Sequence, residues 1–305
     1  MGDRSMDEVP DQSGRRFVVT GANSGIGLEA TRTLAARGAE VVMACRSVER
    51  GEAATDDVRQ TVDDADLDVR ELDLADLASV RSFASDLDGE IDVLCNNAGV
   101  MAIPRRETAD GFETQFGVNH LGHFALTGLL LDRLADAHSR IVTMSSGAHQ
   151  QGTIDFDDLH GEESYGAWSA YAQSKLANLL FAFELQRRLD DAGRDAPISV
   201  AAHPGWAATN LQRRGAEMRG SRLRLWMMKA ANAVFAQSAE GGARPLVHAA
   251  TAIGVGGGDY VGPGGFMELR GAPEIVEPAD RARDEDVAER LWRVSEDLTD
   301  VTYPL

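Results

Sequence analysis

The strongest constraint on the fold is a short stretch near the N-terminus. Arg15-Arg-Phe-Val-Val-Thr20 is a β-rich run, and Thr20-Gly-Ala-Asn-Ser-Gly-Ile-Gly27 is a glycine turn. A helical pattern follows, with Ile26, Ala30, Leu34 and Ala35 on one face. Strand, turn and helix in that order fit the first unit of a dinucleotide-binding α/β fold. Gly21 permits the tight turn, Gly25 lets backbone approach a pyrophosphate, and Gly27 lets the helix pack close to the strand. The helix start, with Asn23, Ser24 and Ile26 around it, then turns free N–H groups toward phosphates. The spacing is Gly-x-x-x-Gly-x-Gly, not the common Gly-x-Gly-x-x-Gly, so the rest of the chain must support the reading.

It does so strand by strand. Glu40-Val-Val-Met-Ala-Cys45 predicts a second strand ending at Arg46. Folds selective for NAD usually end this strand with an acid that takes the ribose hydroxyls. Here a cation stands where a 2′-phosphate would sit, which puts NADP(H) ahead of NAD(H). A third strand, Leu67–Leu72, ends at Asp73-Leu74; the Asp73 carboxylate suits an adenine amino group or a cap for the next helix. Ile91–Cys95 predicts a fourth strand that turns at Asn96-Asn97-Ala98-Gly99. The amides can tie neighbouring backbones, and Gly99 leaves room for a ligand.

Gly111 to Ala137 reads as one long helix containing Asn119, His120 and His123. An asparagine in an apolar helix either bonds locally or bends the helix and presents a carbonyl. The two histidines lack the accompanying carboxylates or cysteines of a metal site, so none is predicted. Arg140–Met144 predicts a fifth strand ending in Ser145-Ser146, of which alternation lets one face a ligand. No Gly-x-Ser-x-Gly elbow surrounds them, so this serine reads as a hydrogen-bond donor to a substrate oxygen. Pro197–Ala202 predicts a sixth strand, followed by His203-Pro204-Gly205. A glycine-rich stretch, 256–265, holds a short seventh strand. No repeat or linker divides the chain. The expected organisation is a polar tail over 1–13 and one domain over 14–305, capped near 205–240. The Met/Trp-rich piece at 223–237 reads as packing, as a subunit contact of a homodimer or homotetramer, or as a substrate lid.

Chemistry is concentrated in Tyr171-Ala-Gln-Ser-Lys175. Residues i and i+4 share a helix face. A cation beside a phenol favours phenolate, so such a pair suits a general acid/base acting on an alcohol or carbonyl. Lysine is otherwise nearly absent: Lys175 and Lys229 stand against 28 arginines.

The net charge of −19 comes from aspartates and glutamates spread over the whole chain. Such a surface repels nucleic acid and anionic membranes, so a small-molecule substrate is expected. It also resembles proteins of high-salt cytoplasm. No run of about 18 apolar residues predicts a membrane span. Cys45 and Cys95 fit buried, reduced thiols of a cytoplasmic protein.

Taken in order, these signatures resemble the short-chain dehydrogenase/reductase superfamily over about 14–300. They are Thr20–Gly27, Asn96–Gly99, Asn119, Ser146 with Tyr171 and Lys175, and Pro204-Gly205 with Thr209. Ala44-Cys-Arg46, Val118-Asn-His-Leu-Gly-His-Phe124 and Tyr171-x-x-Ser-Lys-Leu-Ala-Asn178 resemble its retinol dehydrogenase and protochlorophyllide reductase-like branch. The resemblance implies a Rossmann-type α/β fold, a doubly wound sheet of seven mainly parallel strands with helices on both faces. It also implies roles: Tyr171 as acid/base, Lys175 lowering its pKa and binding the nicotinamide ribose, Ser146 on the substrate oxygen, and Asn119 holding a relay water. Gly21, Asn23, Ser24, Gly25, Ile26 and Gly27 would hold the pyrophosphate. Arg46 would meet the 2′-phosphate, Asp73 and Leu74 the adenine, Asn96, Asn97 and Ala98 the adenosine side, and Thr209 the carboxamide. The implied activity is NADP(H)-dependent hydride transfer with a lipophilic alcohol or carbonyl; NAD(H) stays open. A dinucleotide-binding redox sensor or scaffold is the alternative, although such proteins commonly lose the tyrosine or lysine. An epimerase would want a different glycine turn and a larger C-terminal domain.

Overall fold

A computed structural model of the chain describes residues 9–134, 138–193, 196–205 and 238–305. Thr209, nearly all of the 205–240 capping region, the 223–237 piece and most of the N-terminal tail lie outside the described residues. Eight strands form one sheet in the order β3-β2-β1-β4-β5-β6-β7-β8. They are β1 Arg16–Thr20, β2 Glu40–Cys45, β3 Asp66–Glu71, β4 Val93–Asn96, β5 Arg140–Met144, β6 Ile198–Ala202, β7 Tyr260–Pro263 and β8 Pro273–Ile275. The first seven pair in parallel. The expected count of seven falls one short, because β8 folds back antiparallel on β7, pairing Val261 with Ile275 and Pro263 with Pro273. A proline at a strand start on a sheet edge removes no interior ladder bond.

Alternation along the strands supplies both halves of the core. Phe17 and Val19 of β1 join Met43, Val142 and Val200 on one face. Val18 joins Val42, Leu94 and Ile141 on the other. The helices are α1 Gly25–Ala35, α2 Val48–Arg59, α3 Leu77–Asp86, a composite α4, α5 Ala167–Ala192, α6 Ala239–Thr251 and α7 Glu285–Thr299. Leu34, Leu246 and Val247 cover the first face; Phe124, Phe181 and Trp292 cover the second. Among the described residues no helix is long and apolar enough to cross a membrane. Cys45 and Cys95 are buried and unbridged, and burial raises their thiols to about 11 and about 12.

The predicted single helix from Gly111 is broken in character. It begins as α-helix at Thr114–Phe116, widens into a π turn at Gly117–Leu121 and resumes as α-helix over Gly122–Leu130. One extra residue is thereby inserted at Asn119. Gly122 lets the turn lie against β3's exit, since a Cβ there would sit 2.6 Å from the Leu74 carbonyl oxygen.

Candidate active site

The C-terminal ends of the parallel strands open into a cavity of about 900 Å³. Strand ends are where open α/β sheets hold ligands. Gly21, Asn23, Ser24, Gly25, Ile26 and Gly27 line it, as do Asn97, Ala98 and Gly99. Gly21 and Gly25 take positive φ, +68° and +58°, which only glycine adopts freely. A Cβ on Gly27 would lie 2.4 Å from Gly21 O and 2.7 Å from Asn97 Nδ2, so the close approach expected of it is real. The α1 start carries no side-chain cap, whereas Ser47 caps α2 and Asp76 caps α3. Asp73 therefore is not the α3 cap: its carboxylate accepts the Ala75 N–H at 3.0 Å and, with Leu74, lines the cavity.

Arg46 lines the cavity from the end of β2, beside Ser47 and Arg50. Arg50 escaped the sequence reading; its signal is a second cation four residues after Arg46, in the first turn of α2. Asn96 departs from its expected place. It is buried, its amide donates to Thr127 Oγ1 at 2.8 Å, and it is absent from the cavity lining. The asparagine that faces the glycine turn is Asn97, whose amide donates to Thr20 O at 2.8 Å.

Ser146, Tyr171 and Lys175 line the same cavity. Ser145 and Ser146 divide as alternation requires. Ser145 is buried and donates to Lys175 O at 2.7 Å, while Ser146 is partly exposed, accepts from Ala148 N at 3.2 Å and lines the cavity with Tyr171. Lys175 is buried; its Nζ donates to Met144 O at 3.0 Å and lies 5.9 Å from the centre of the Tyr171 ring. Burial lowers Lys175 to about 8. Burial also raises Tyr171, and the Ser146 hydroxyl partly opposes it.

Asn119 is fully buried and its side-chain amide is saturated. It donates to Val100 O at 2.9 Å and to Ser174 Oγ at 2.8 Å, and it accepts from Val100 N at 2.8 Å. These bonds tie the helical run Thr114–Leu130, α4, to both the β4 exit and the Tyr171 helix. A Cβ on Gly99 would meet Asn119 Oδ1 at 3.0 Å and Lys175 Nζ at 3.6 Å, so the glycine leaves the backbone close to both. His120 and His123 point apart: His120 Nε2 is 2.8 Å from Ser295 Oγ, and His123 Nε2 is 2.9 Å from Thr20 Oγ1.

Pro204 and Gly205 reach the cavity beside Met267, Glu268 and Leu269 from the loop after β7. Gly205 has φ +63°, and a Cβ on it would lie 2.6 Å from Leu269 O. His203 Nδ1 accepts from Gly205 N at 3.3 Å, and its Nε2 lies 3.0 Å from Glu268 Oε2. The sequence offered no sign of Glu268, since its approach depends on the unpredicted β8 hairpin. Met101, Trp168, Met267 and Leu269 give the cavity apolar walls.

Comparison with known proteins agrees with this geometry. The family model "short chain dehydrogenase" matches residues 15–220. The human protein Retinol dehydrogenase 13 is 44% identical over 299 residues, covering 95% of this chain and 86% of that protein. Mouse Polyprenol dehydrogenase is 42% identical over 303 residues, covering 95% and 85%. The crystal structure of a putative uncharacterized protein from Mycobacterium paratuberculosis superposes with a TM-score of 0.82 at 45% identity, covering 98% of both chains. The chain therefore belongs to the short-chain dehydrogenase/reductase family, oxidoreductases that act on CH–OH or C=O carbons with a nicotinamide dinucleotide.

Proposed function

We propose that this chain transfers hydride between NADP(H) and a lipophilic alcohol or carbonyl compound, with Tyr171 as the general acid/base. The observation that carries the reading is that Ser146, Tyr171 and Lys175 line the same cavity as the glycine turn. The dinucleotide, when bound, supplies or takes the hydride at nicotinamide C4. The residues present suit it: glycine backbone at Gly21, Gly25 and Gly27 for the pyrophosphate, and Arg46 with Arg50 for a 2′-phosphate. Thr209 is proposed for the carboxamide.

Tyr171 then moves the proton of the substrate oxygen, and Ser146 Oγ holds that oxygen against the phenol. Lys175 keeps a buried positive charge beside the ring, which favours phenolate over phenol. Asn119 is proposed to hold the protein end of a proton path through its backbone carbonyl, which also stands 3.0 Å from His123 Nδ1. The apolar walls favour a long hydrocarbon substrate. Relatives named for retinol and for polyprenol, both long apolar alcohols, show similar identity to this chain, so the reading stops at that class.

Purified full-length chain should be assayed with NADPH and NADH against long-chain alcohols, aldehydes, ketones and quinones. NADPH-dependent turnover is expected. Arg46→Ala should raise the KM for NADPH about tenfold or more, the weight of one charge-assisted phosphate contact, and leave that for NADH nearly unchanged. Equal changes for both cofactors would overturn the NADP assignment.

A further inference from the structure

A buried chain of hydrogen bonds runs from the Asn97–Ala98 lining of the cavity to the Asn119 carbonyl in the π turn. Thr20 Oγ1, at the end of β1, accepts the N–H of Asn97 and of Ala98, both at 2.9 Å. Those amides belong to the strand exit that lines the cavity. On its other side Thr20 Oγ1 stands 2.9 Å from His123 Nε2. His123 Nδ1 stands 3.0 Å from the Asn119 carbonyl oxygen. The ring is 1% exposed.

The direction of every proton follows. A carbonyl only accepts, so Nδ1 carries the hydrogen. Nε2 is then a bare acceptor, and the Thr20 hydroxyl must donate to it. The competing acceptor, Cys95 O, is farther away at 3.3 Å. The order is amide N–H of Asn97 and Ala98, Thr20 O–H, His123 Nδ1–H, Asn119 C=O. Burial and the nearby Lys175 charge hold His123 down to about 4, in keeping with one neutral tautomer. Such a chain is cooperative, each donor polarising the next.

We infer that His123 is a positioning residue: it fastens the Thr20–Asn97–Ala98 junction to the Asn119 turn, keeping the cofactor cleft and the acid/base residues in one register. The inference rests on the proposed function, because Asn119 in turn holds Ser174, which lies on the Tyr171 helix and donates to Tyr171 O at 2.8 Å. Slackening this link shifts the acid/base end relative to the dinucleotide end, and displacements on the order of 1 Å can cost about a hundredfold in rate.

The test is a set of variants assayed per dinucleotide-binding site. His123→Phe keeps an aromatic ring, slightly larger than the imidazole, and removes both bonds. It is expected to lower kcat about tenfold or more while KM for substrate stays within about threefold. His123→Asn can still donate to the Asn119 carbonyl and should recover part of the loss. Combining His123→Phe with Thr20→Val should cost little more than the worse single change, since the two residues act as one unit. A kcat for His123→Phe equal to wild type per binding site, or fully multiplicative effects in the double variant, would overturn the inference. Nitrogen-15 NMR of the histidine rings gives an arm independent of turnover: hydrogen on Nδ1 of His123 is expected, and hydrogen on Nε2 contradicts the wiring. If wild type itself turns over no substrate, the proposed function fails, and the ring tautomer still decides the wiring.

Discussion

Lys175 is one of two lysines in the chain, and the protein keeps it buried at about 8, below the ordinary 10.5 of a lysine. Burial disfavours the charged form, so at neutral pH the ammonium costs the folded state on the order of 3 kcal/mol for a shift of this size. The sign in pH follows. Between about 8 and 10.5 the unfolded chain binds more protons than the folded one, so the unfolding free energy rises with pH across that window. Lys175→Met should therefore unfold at pH 7 no lower in temperature than wild type. It should also lose wild type's rise in stability between pH 8 and 10. Met144 O keeps its bond from Asn178 Nδ2 at 2.9 Å in that variant, so no carbonyl is orphaned. Thermal melts at several pH values measure this; a clear loss of stability at pH 7 would show that the ammonium stabilises the fold.

At this scale much was legible from residue types and spacing. The Tyr171–Lys175 pair shares a helix face because four residues make one turn, and Ser146 is separated from Ser145 because strands alternate. Asn96 was misplaced because two adjacent asparagines at a strand exit look alike; which one turns toward Thr127 depends on packing with α4. The saturation of the Asn119 amide was not legible either, as its partners Val100 and Ser174 lie 19 and 55 residues away.

Elements carry their own prediction at the strand–turn–helix unit. Gly27 touches Gly21 O and Asn97 Nδ2 so closely that even a methyl group must displace backbone. Gly27→Ala should lower dinucleotide affinity by about tenfold or more and destabilise the fold by about 1–3 kcal/mol, the usual range for overpacking. Isothermal titration and chemical denaturation measure the two effects; unchanged affinity would remove the turn from the cofactor site. Periodicity located β1 to β7 to within a few residues. It missed the π turn, because one inserted residue leaves the apolar pattern of α4 almost unchanged. It missed β8, because Pro273-Glu-Ile275 is three residues of edge strand with two exposed positions. Glu268 was lost with it.

On the scale of the whole molecule, the charge of −19 is the unexplained quantity. Like charge on a compact body opposes folding, and salt screens it, with a Debye length of about 10 Å at 0.1 M and about 3 Å at 1 M. If the surface is tuned to a salty interior, the unfolding temperature should climb by about 5 °C or more between 0.1 M and 2 M KCl, equivalent to a few kcal/mol for a chain of this size. Full stability and activity at 0.1 M would make the acidity a matter of solubility alone. The family assignment does not depend on this outcome, since it rests on the match of residues 15–220 to the family and on relatives more than 40% identical.

Tyr171 carries the proposed proton transfer, and Tyr171→Phe removes one oxygen from it. Single-turnover oxidation of NADPH, measured beside NADPH binding by fluorescence on the same sample, separates chemistry from assembly of the site. The predicted result is a fall in turnover of about a thousandfold, the usual weight of a general acid/base, with NADPH affinity within about threefold of wild type. Turnover within tenfold of wild type at undiminished binding would contradict the central claim and leave the cavity a binding site whose chemistry lies elsewhere.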